Sequence, residues 1–582
     1  MFGYTGRYLK IDLTTRTFKV CDTDEYLCRS FLGGRGLGVA LISAKITQEP
    51  FSADIPIIFV TGPLVSTPSI TSGRMSVVSR SPLTNTVFDS SVGGSLGASL
   101  KRAGFDLVEI VGRADDWTGI VIDGRDIRIE DACWAGGMDT KRVFQHFAGR
   151  YSTASIGVAG ENLVRYASIA FDDGHYHSGR GGLGAVMGYK RLKYIAVRGD
   201  GSVSVKNPRE LNLAVKDIMR LLRASPSIFG EFGLSRYGTA CLVDVIHARR
   251  LEPTDNFRKT FFEHSSRYSA YTISERYKPK GSGCKGCPIH CKKTSNNHTI
   301  IPEYETLSHF GALNCCDSLE IIVDANRLCN LYGLDTISTA STIACYKEIM
   351  DKKDISQEII PLIHDIAQRR GPLGYILGEG SFRYANELDM GHLSMSVKGL
   401  ELPAYDPRGA YGMALGYAVS SRGGCHLRAY PISHEILRKP VATDRFSFDG
   451  KARIVKIAED TNAVVDSLTA CKFVFFAVSV EEYVKVLNAV TGLSLDVQSL
   501  LKIGERICRL ERELNNSNGF TSKDDDLPSR FFNEEGTFSD NIRIKPIDRQ
   551  EFLDAVKRYY KVRGADEDGR IIDAEADKQV PQ

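Results

Sequence analysis

The chain has 582 residues, 42% hydrophobic and 25% charged, and its 74 basic and 71 acidic side chains leave a formal charge of +3. This profile describes a soluble globular protein with ample chain for a large core, and it carries no electrostatic footprint for nucleic acid. The longest apolar run, 473–480, falls far short of the roughly 20 residues a membrane span needs, and the N-terminus lacks the basic-then-apolar order of a secretory signal.

In chain order, Gly33-Gly34-Arg35-Gly36-Leu37-Gly38 reads either as a tight turn ahead of a helix over 39–45 or as a loop able to cradle an anion. Short β-branched runs predict strands over 57–60, 75–78, 107–111 and 194–197, with a helix over 96–103. From Pro208 the apolar spacing becomes helical, over 211–222, 319–332, 337–349 and 359–368. After a turn at 403–409 it is helical again, over 452–463 and 497–514. The chain ends in a polar tail, Asp577 to Gln582. The expected fold is α+β, a β-rich N-terminal base domain (1–205) with two mainly helical domains (206–402 and 403–582) packed on it.

Gly179-Arg180-Gly181-Gly182-Leu183-Gly184 matches the dinucleotide pattern G-x-G-x-x-G. That reading needs a strand running into the glycines, and a polar stretch at 172–178 stands there instead. What remains is a backbone able to approach an anion, with Arg180 as a phosphate fork.

Fourteen cysteines without a secretory signal point to a reducing, cytoplasmic setting. Three of them, Cys284, Cys287 and Cys291, form Cys-x2-Cys-x3-Cys in a loop rich in Gly and Lys. Thiolates so close repel one another unless a metal neutralises them, and soft sulfur selects zinc, copper(I) or an iron–sulfur cluster. Zinc is the rival, with His290 inside the run. Zinc ribbons, however, pair two knuckles about 15–20 residues apart, and no second knuckle follows. Three clustered cysteines and a distant fourth form an iron–sulfur pattern.

Several segments together resemble the tungsten-containing aldehyde:ferredoxin oxidoreductase family. They are Phe31 to Gly36, Ser72-Gly73-Arg74 with Ser81 to Thr84, Gly179 to Gly188, the cysteine loop, and Pro302-Glu303-Tyr304-Glu305-Thr306. Tyr332 to Ser338, Asp406 to Gly409 and Gly519 to Pro528 complete the series. The resemblance implies a bis-pterin (bis-molybdopterin) tungsten cofactor, or its molybdenum counterpart, on the β-rich base, with no side chain on the metal. It also implies two Asp-x-x-Gly-Leu-(Asp/Cys) motifs that hold the pterins. The first appears as Asn330 to Asp335 with Asn at its head. The second runs from Asp466 to Cys471, with Thr469-Ala470 in place of Gly-Leu, and makes Cys471 the fourth ligand of a 4Fe-4S cluster. Arg74, Arg180 and Arg428 fall at cofactor-contacting positions, and carbonyls near Ser91 and Gly181 at those of a magnesium bridging the pterin phosphates.

The implied reaction is oxidation of a small aldehyde to an acid, with electrons passing from the metal through a pterin and the cluster to ferredoxin or a separate electron-transfer subunit. A carboxylate beside a low-dielectric cavity can be tuned toward neutrality as a base. Glu305 is the first candidate and His426 the second, with Tyr304 and Glu303 as alternatives. Lys285, Lys292 and Lys293 flank the cluster loop and could steer an acidic carrier. A homodimer or hetero-oligomer is expected. Rival readings are a relative that reduces an aromatic thioester and a non-catalytic metal-binding protein.

Overall fold

A computed structural model describes residues 1–572; the tail Asp577–Gln582 lies outside the described residues. The N-terminal part holds two six-stranded sheets. In the first, β1 (Arg7–Asp12), β2 (Thr17–Asp22), β3 (Ile57–Val60), β4 (Met75–Arg80), β5 (Val87–Val92) and β6 (Leu107–Val111) run in the order β2-β1-β6-β3-β4-β5. The second takes the order β11-β10-β9-β12-β7-β8, from β7 (Thr118–Asp123), β8 (Asp126–Asp131), β9 (Ser152–Ile156), β10 (Ile169–Phe171), β11 (Tyr176–Ser178) and β12 (Leu192–Arg198). β3 and β4 are buried along their whole length, as expected of strands covered on both faces. One apolar core, from Tyr4 to Val197 and joined by Leu514, draws on both sheets and their helices.

The glycine run at 33–38 is not a turn ahead of a helix: it is the first half of helix Gly34–Ile42. Glycine lowers helix propensity by about 1 kcal/mol per residue, so close packing must compensate. A Cβ at Gly36 would stand 2.4 Å from the Phe31 carbonyl, and one at Gly38 would stand 2.4 Å from Val78 Cγ2.

The run at 179–184 does follow a strand, β11, and opens helix Leu183–Tyr189. Its strands nevertheless pair antiparallel, β11 to β10, β10 to β9 and β9 to β12. This is not the parallel βαβ unit that a dinucleotide fold requires.

From Pro208 onward the chain is almost wholly helical, and packing does not follow chain order. Helix Pro208–Ala224 lies against helix Val480–Thr491, and its Leu211, Ile218 and Leu222 share a core with Val486, Leu487 and Ile507. The C-terminal helix Arg549–Arg563 joins the core of 240–455 through Phe552, Ala555 and Tyr559. Among the described residues no helix is long and apolar enough to cross a membrane.

Candidate active site

The cysteine loop lies between two short paired strands, Lys280–Ser282 and Lys292–Thr294. In its first turn the Cys287 N–H donates to the Cys284 carbonyl at 3.0 Å. Gly286 takes φ +74° there, a left-handed conformation open to glycine without strain. Cys471 arrives from 180 residues downstream of Cys291, its N–H donating to the Thr71 carbonyl at 2.9 Å. Burial, and then the neighbouring sulfurs, raise the thiol pKa values of Cys287 and Cys291; burial also raises that of Cys471, opposed by Arg74 and helped by Cys284. All four thiols therefore share one site. Its wall comes from the first sheet: a Cβ at Gly93 would stand 2.4 Å from Cys284 Sγ. Among the described residues no group of three or more His, Cys, Asp or Glu is placed to hold a single metal ion.

Arg74 joins this site to the next. Its Nε donates to Ser91 Oγ and its Nη2 to the Ser91 carbonyl, both at 3.0 Å, and its charge faces Cys471, Cys284 and Asp466.

The two predicted pterin motifs each follow a helix. Helix Leu319–Tyr332 carries Asn330 in its last turn, where the Asn330 carbonyl accepts from Thr140 Oγ1 at 3.0 Å. Gly333 ends that helix at φ +71°, and Asp335 caps the next, accepting from the Ile337 N–H at 3.0 Å and Ser338 Oγ at 2.8 Å. Arg180 Nε donates to the same Asp335 carboxylate at 3.2 Å, and its other nitrogens reach the Gly424 and Glu401 carbonyls at 3.0 and 2.8 Å.

The second motif follows helix Lys451–Ser467. Thr469 takes the left-handed position at φ +54°, and the Ala470 N–H donates back to the Val465 carbonyl at 3.0 Å. Asp466 accepts from Lys472 at 2.8 Å and stands 3.5 Å from Arg35 Nη1.

Behind these motifs lies a buried charge network. Arg35 forks onto Glu511 at 2.6 and 2.7 Å, and Arg428 holds Asp89 at 2.5 Å. Burial opposes ionisation of Asp89, but Arg428, Arg35 and Arg422 together hold its carboxyl well below the ordinary range. Arg35 Nη1 is buried with no hydrogen-bond partner.

Glu305 opens helix Tyr304–Phe310 and turns inward. Its Oε2 accepts from the Ala404 N–H at 2.9 Å, and its Oε1 lies 3.6 Å from His426 Nε2. Glu305 Oε1 and His426 Nδ1 are both buried without partners. Burial, opposed by the Ala404 N–H and Arg180, pushes the Glu305 pKa up to about 7, while burial and then Arg180 press His426 well below its ordinary value. Tyr405 and Tyr430 flank the imidazole, with ring centroids at 5.8 and 6.0 Å. Tyr304 is turned away, its hydroxyl on the Ala404 carbonyl at 2.5 Å.

The structure thus pairs Arg74 with Ser91, Arg180 with Asp335, and Glu305 with His426, and it places Asp466, Ala470 and Cys471 in one turn. Glu303 is not beside His426 but ion-paired to Lys292 at 2.9 Å. Lys293 is buried, its ammonium on the Ser235 and His290 carbonyls at 2.7 and 2.9 Å. Of the three loop lysines only Lys285 is exposed. The Gly181 carbonyl accepts from Ser81 Oγ at 2.7 Å, so both carbonyls expected for magnesium have protein donors.

Sequence reasoning missed Arg35 as a site residue, and with it Asp89, Glu511 and Arg422. A signal existed for Glu511: it falls on the buried stripe of Leu500, Ile503, Ile507 and Cys508 in helix Val497–Ser517, where an unpaired charge is not tolerated.

Comparison with known proteins gives a consistent result. Residues 8–199 match the family model "Aldehyde ferredoxin oxidoreductase, N-terminal domain", and residues 213–578 match "Aldehyde ferredoxin oxidoreductase, domains 2 & 3". Tungsten-containing aldehyde ferredoxin oxidoreductases of Pyrococcus furiosus and Thermococcus kodakarensis are 38% and 37% identical, each over 98% of both chains. An aliphatic sulfonate oxidoreductase WOR-like subunit of Pyrococcus furiosus is 28% identical over 98% of this chain and 96% of its own. Among solved structures, the BamBC active-site complex of benzoyl coenzyme A reductase superposes with a TM-score of 0.83 at 22% identity, covering 98% of this chain and 96% of that one, a likeness of fold. The chain belongs to the aldehyde ferredoxin oxidoreductase family.

Proposed function

We propose that this oxidoreductase oxidises a small aldehyde to its carboxylic acid at a tungsten bis-molybdopterin centre and sends the electrons through a 4Fe-4S cluster on Cys284, Cys287, Cys291 and Cys471. The observation that carries the reading is the pair of partnerless buried atoms, Glu305 Oε1 and His426 Nδ1, beside a 3.6 Å carboxylate–imidazole contact. Bound at this site, the tungsten centre would take up the substrate's two electrons. Aldehyde and water give the acid with release of two electrons and two protons; Glu305 accepts the protons one at a time and passes each to solvent, and His426 orients the carbonyl oxygen. Tyr405 and Tyr430 form the apolar wall that keeps bulk water from the pair.

The residues suit these groups. Arg35 Nη1, 3.5 Å from Asp466 but with no hydrogen-bond partner, has donor capacity left for a pterin; Arg74, Arg180 and Arg428 are kept as further donors, each already serving a protein acceptor. The Cys-x2-Cys-x3-Cys loop with a remote fourth cysteine is an iron–sulfur spacing, and the sulfurs of Cys284, Cys287, Cys291 and Cys471 lie close enough to influence one another's ionisation. Molybdenum would use the same donors. A magnesium between the pterin phosphates would have to compete with Arg74 for the Ser91 carbonyl. Ferredoxin or a separate electron-transfer subunit is the proposed acceptor: residues 276–302 contain five lysines and no acid, and Lys278, Lys280 and Lys285 are exposed. We assign the enzyme to the cytoplasm, as a homodimer or hetero-oligomer. The domain division at 205 and 402 is kept as a description of the chain, although helices pack across it.

Anaerobically purified protein should contain tungsten and about four iron per chain and should reduce a viologen dye with acetaldehyde or benzaldehyde. Glu305→Gln should lower kcat by about 10²–10⁴-fold with the metal content unchanged. Because the base must be ionised, the rate should rise as pH increases through the Glu305 pKa. Zinc as the sole metal, or full aldehyde turnover by E305Q, overturns the assignment.

A further inference from the structure

The cysteine loop and its neighbours form a face whose chemistry the catalytic pair does not use. Between its cysteines the loop exposes Lys285, Gly286 and His290, so the thiol site lies directly beneath the surface there. Two further segments are fastened beside it. Lys293 holds the Ser235 and His290 carbonyls together, and a Cβ at Gly238 would stand 2.6 Å from the Cys291 carbonyl. Both contacts pin the turn Leu234–Tyr237 to the loop. Helix Ala270–Tyr277 packs against that turn and runs through Lys278 into the strand Lys280–Ser282.

This face carries two kinds of chemistry. Phe232, three residues ahead of Ser235, is 75% exposed, more than any other large hydrophobic side chain among the described residues, and Tyr271 is 61% exposed. Around these rings Arg236, Lys278, Lys280 and Lys285 are exposed, against the exposed acids Glu231 and Glu275. Arg267 and Arg276 add no free charge, since they pair with Asp317 and Glu320. Aromatic anchors inside a charged rim are the makeup of a protein interface, and a basic rim selects an acidic partner.

The reaction also says how long that partner stays. An aldehyde releases two electrons, so a one-electron carrier takes them in two encounters. In each, the reduced cluster loses one electron, an oxidised carrier gains it, and the carrier leaves before the next arrives. A face that serves this cycle must release what it binds. Two exposed rings in a basic rim meet that need, whereas permanent subunit interfaces bury about 2,000 Å² or more and are richer in apolar side chains.

We propose that residues 229–237 and 270–280, with the outer turn of the cysteine loop at 284–290, form a transient docking face for a small acidic iron–sulfur electron carrier. Phe232 is its apolar anchor, and Arg236, Lys278, Lys280 and Lys285 are the rim that steers the approach. This rests on the reading of Cys284, Cys287, Cys291 and Cys471 as cluster ligands, but not on the aldehyde.

Binding of an acidic bacterial ferredoxin to the anaerobic holoenzyme, followed by biolayer interferometry, needs no substrate. Raising salt from about 0.05 to about 0.5 M shortens the screening length from roughly 14 Å to roughly 4 Å, and affinity should fall by about tenfold or more. The triple reversal Arg236→Glu, Lys278→Glu, Lys280→Glu should weaken binding by about 10–100-fold and flatten that salt dependence. Phe232→Ser should weaken it about tenfold and leave the salt dependence as it was, a split that misfolding does not produce. Lys19→Glu lies on β2, at the opposite edge of the first sheet from β5, which leads to Gly93 beside Cys284. That variant should bind as the unmodified enzyme does.

Iron content read on the same samples separates the failures. Iron absent from the unmodified enzyme sinks the cluster reading, and the docking face with it. With about four iron per chain present, an affinity untouched by salt or by the triple reversal overturns the docking face alone. A carrier that stays bound at high salt as a permanent subunit does so too.

Discussion

The two chain reversals at 330–335 and 466–471 meet one geometric demand with different residues. Each follows a long helix, each passes through a left-handed residue, Gly333 at φ +71° and Thr469 at φ +54°, and each sets an aspartate beside an arginine from one of the two glycine-rich runs. In the first, the aspartate comes after the turn and is fully engaged: Asp335 caps a helix and pairs with Arg180. In the second it comes before the turn. Asp466 is shared by Lys472 at 2.8 Å and Arg35 Nη1 at 3.5 Å, and that Arg35 nitrogen has no hydrogen-bond partner. The position vacated after the second turn belongs to Cys471, which enters the thiol site. One reversal is closed on the protein, and the other is open to what binds there.

The largest expected effect separates the two through that last residue. Cys471→Ser should lose the iron–sulfur centre, seen as a fall in iron content and the disappearance of its electron paramagnetic resonance signal. Asp335→Ala should leave the iron intact. If C471S keeps a full iron complement, the second reversal does not serve the cluster.

Next in size is stability. Asp335→Ala removes a cap worth about 1 kcal/mol and takes from Arg180 the nearer of its two carboxylates. Because Arg180 keeps Glu401 and two carbonyls, the further loss should stay below the roughly 3–5 kcal/mol of a fully broken buried pair. Asp466→Ala should cost less, about 1–2 kcal/mol, because Arg35 keeps Glu511 and Lys472, its side chain 21% exposed, can turn to solvent. Urea unfolding of both variants measures the difference, and equal losses would show that the second reversal is as closed as the first.

How far the sequence discloses this site follows from what each residue depends on. Strands such as 57–60 and 107–111 and helices such as 319–332 carry local periodicity and stand where expected. Cys284, Cys287 and Cys291 are legible because three donors sit in eight residues, whereas Cys471 needed the family pattern. The helix at 34–42 was hidden, since its glycines act through contacts with Val78 and the Asp466 carbonyl, which no local propensity records. Arg35 was hidden for a different reason: its partner Glu511 lies 476 residues away in the chain.

The smallest effect tests the left-handed residues themselves. For a residue with a Cβ this conformation costs roughly 1–2 kcal/mol, so Gly333→Ala should destabilise by about that much. It should cost somewhat more because the new Cβ would stand 3.0 Å from the Gly157 nitrogen. Thr469 already bears the strain, and Thr469→Gly should relieve it. Against that gain, glycine loses about 0.5–1 kcal/mol more conformational freedom on folding, and the Thr469 side chain fills the space beside two other glycines. A Cβ at Gly34 would meet Thr469 Cγ2 at 2.8 Å, and one at Gly62 would meet its Oγ1 at 2.7 Å. The net change in T469G should therefore lie within about 0.5 kcal/mol of zero, read as an unchanged urea midpoint. A loss above about 1 kcal/mol would mean that packing against Gly34 and Gly62 outweighs the strain. Threonine in the second reversal would then be part of the site's construction rather than a tolerated replacement.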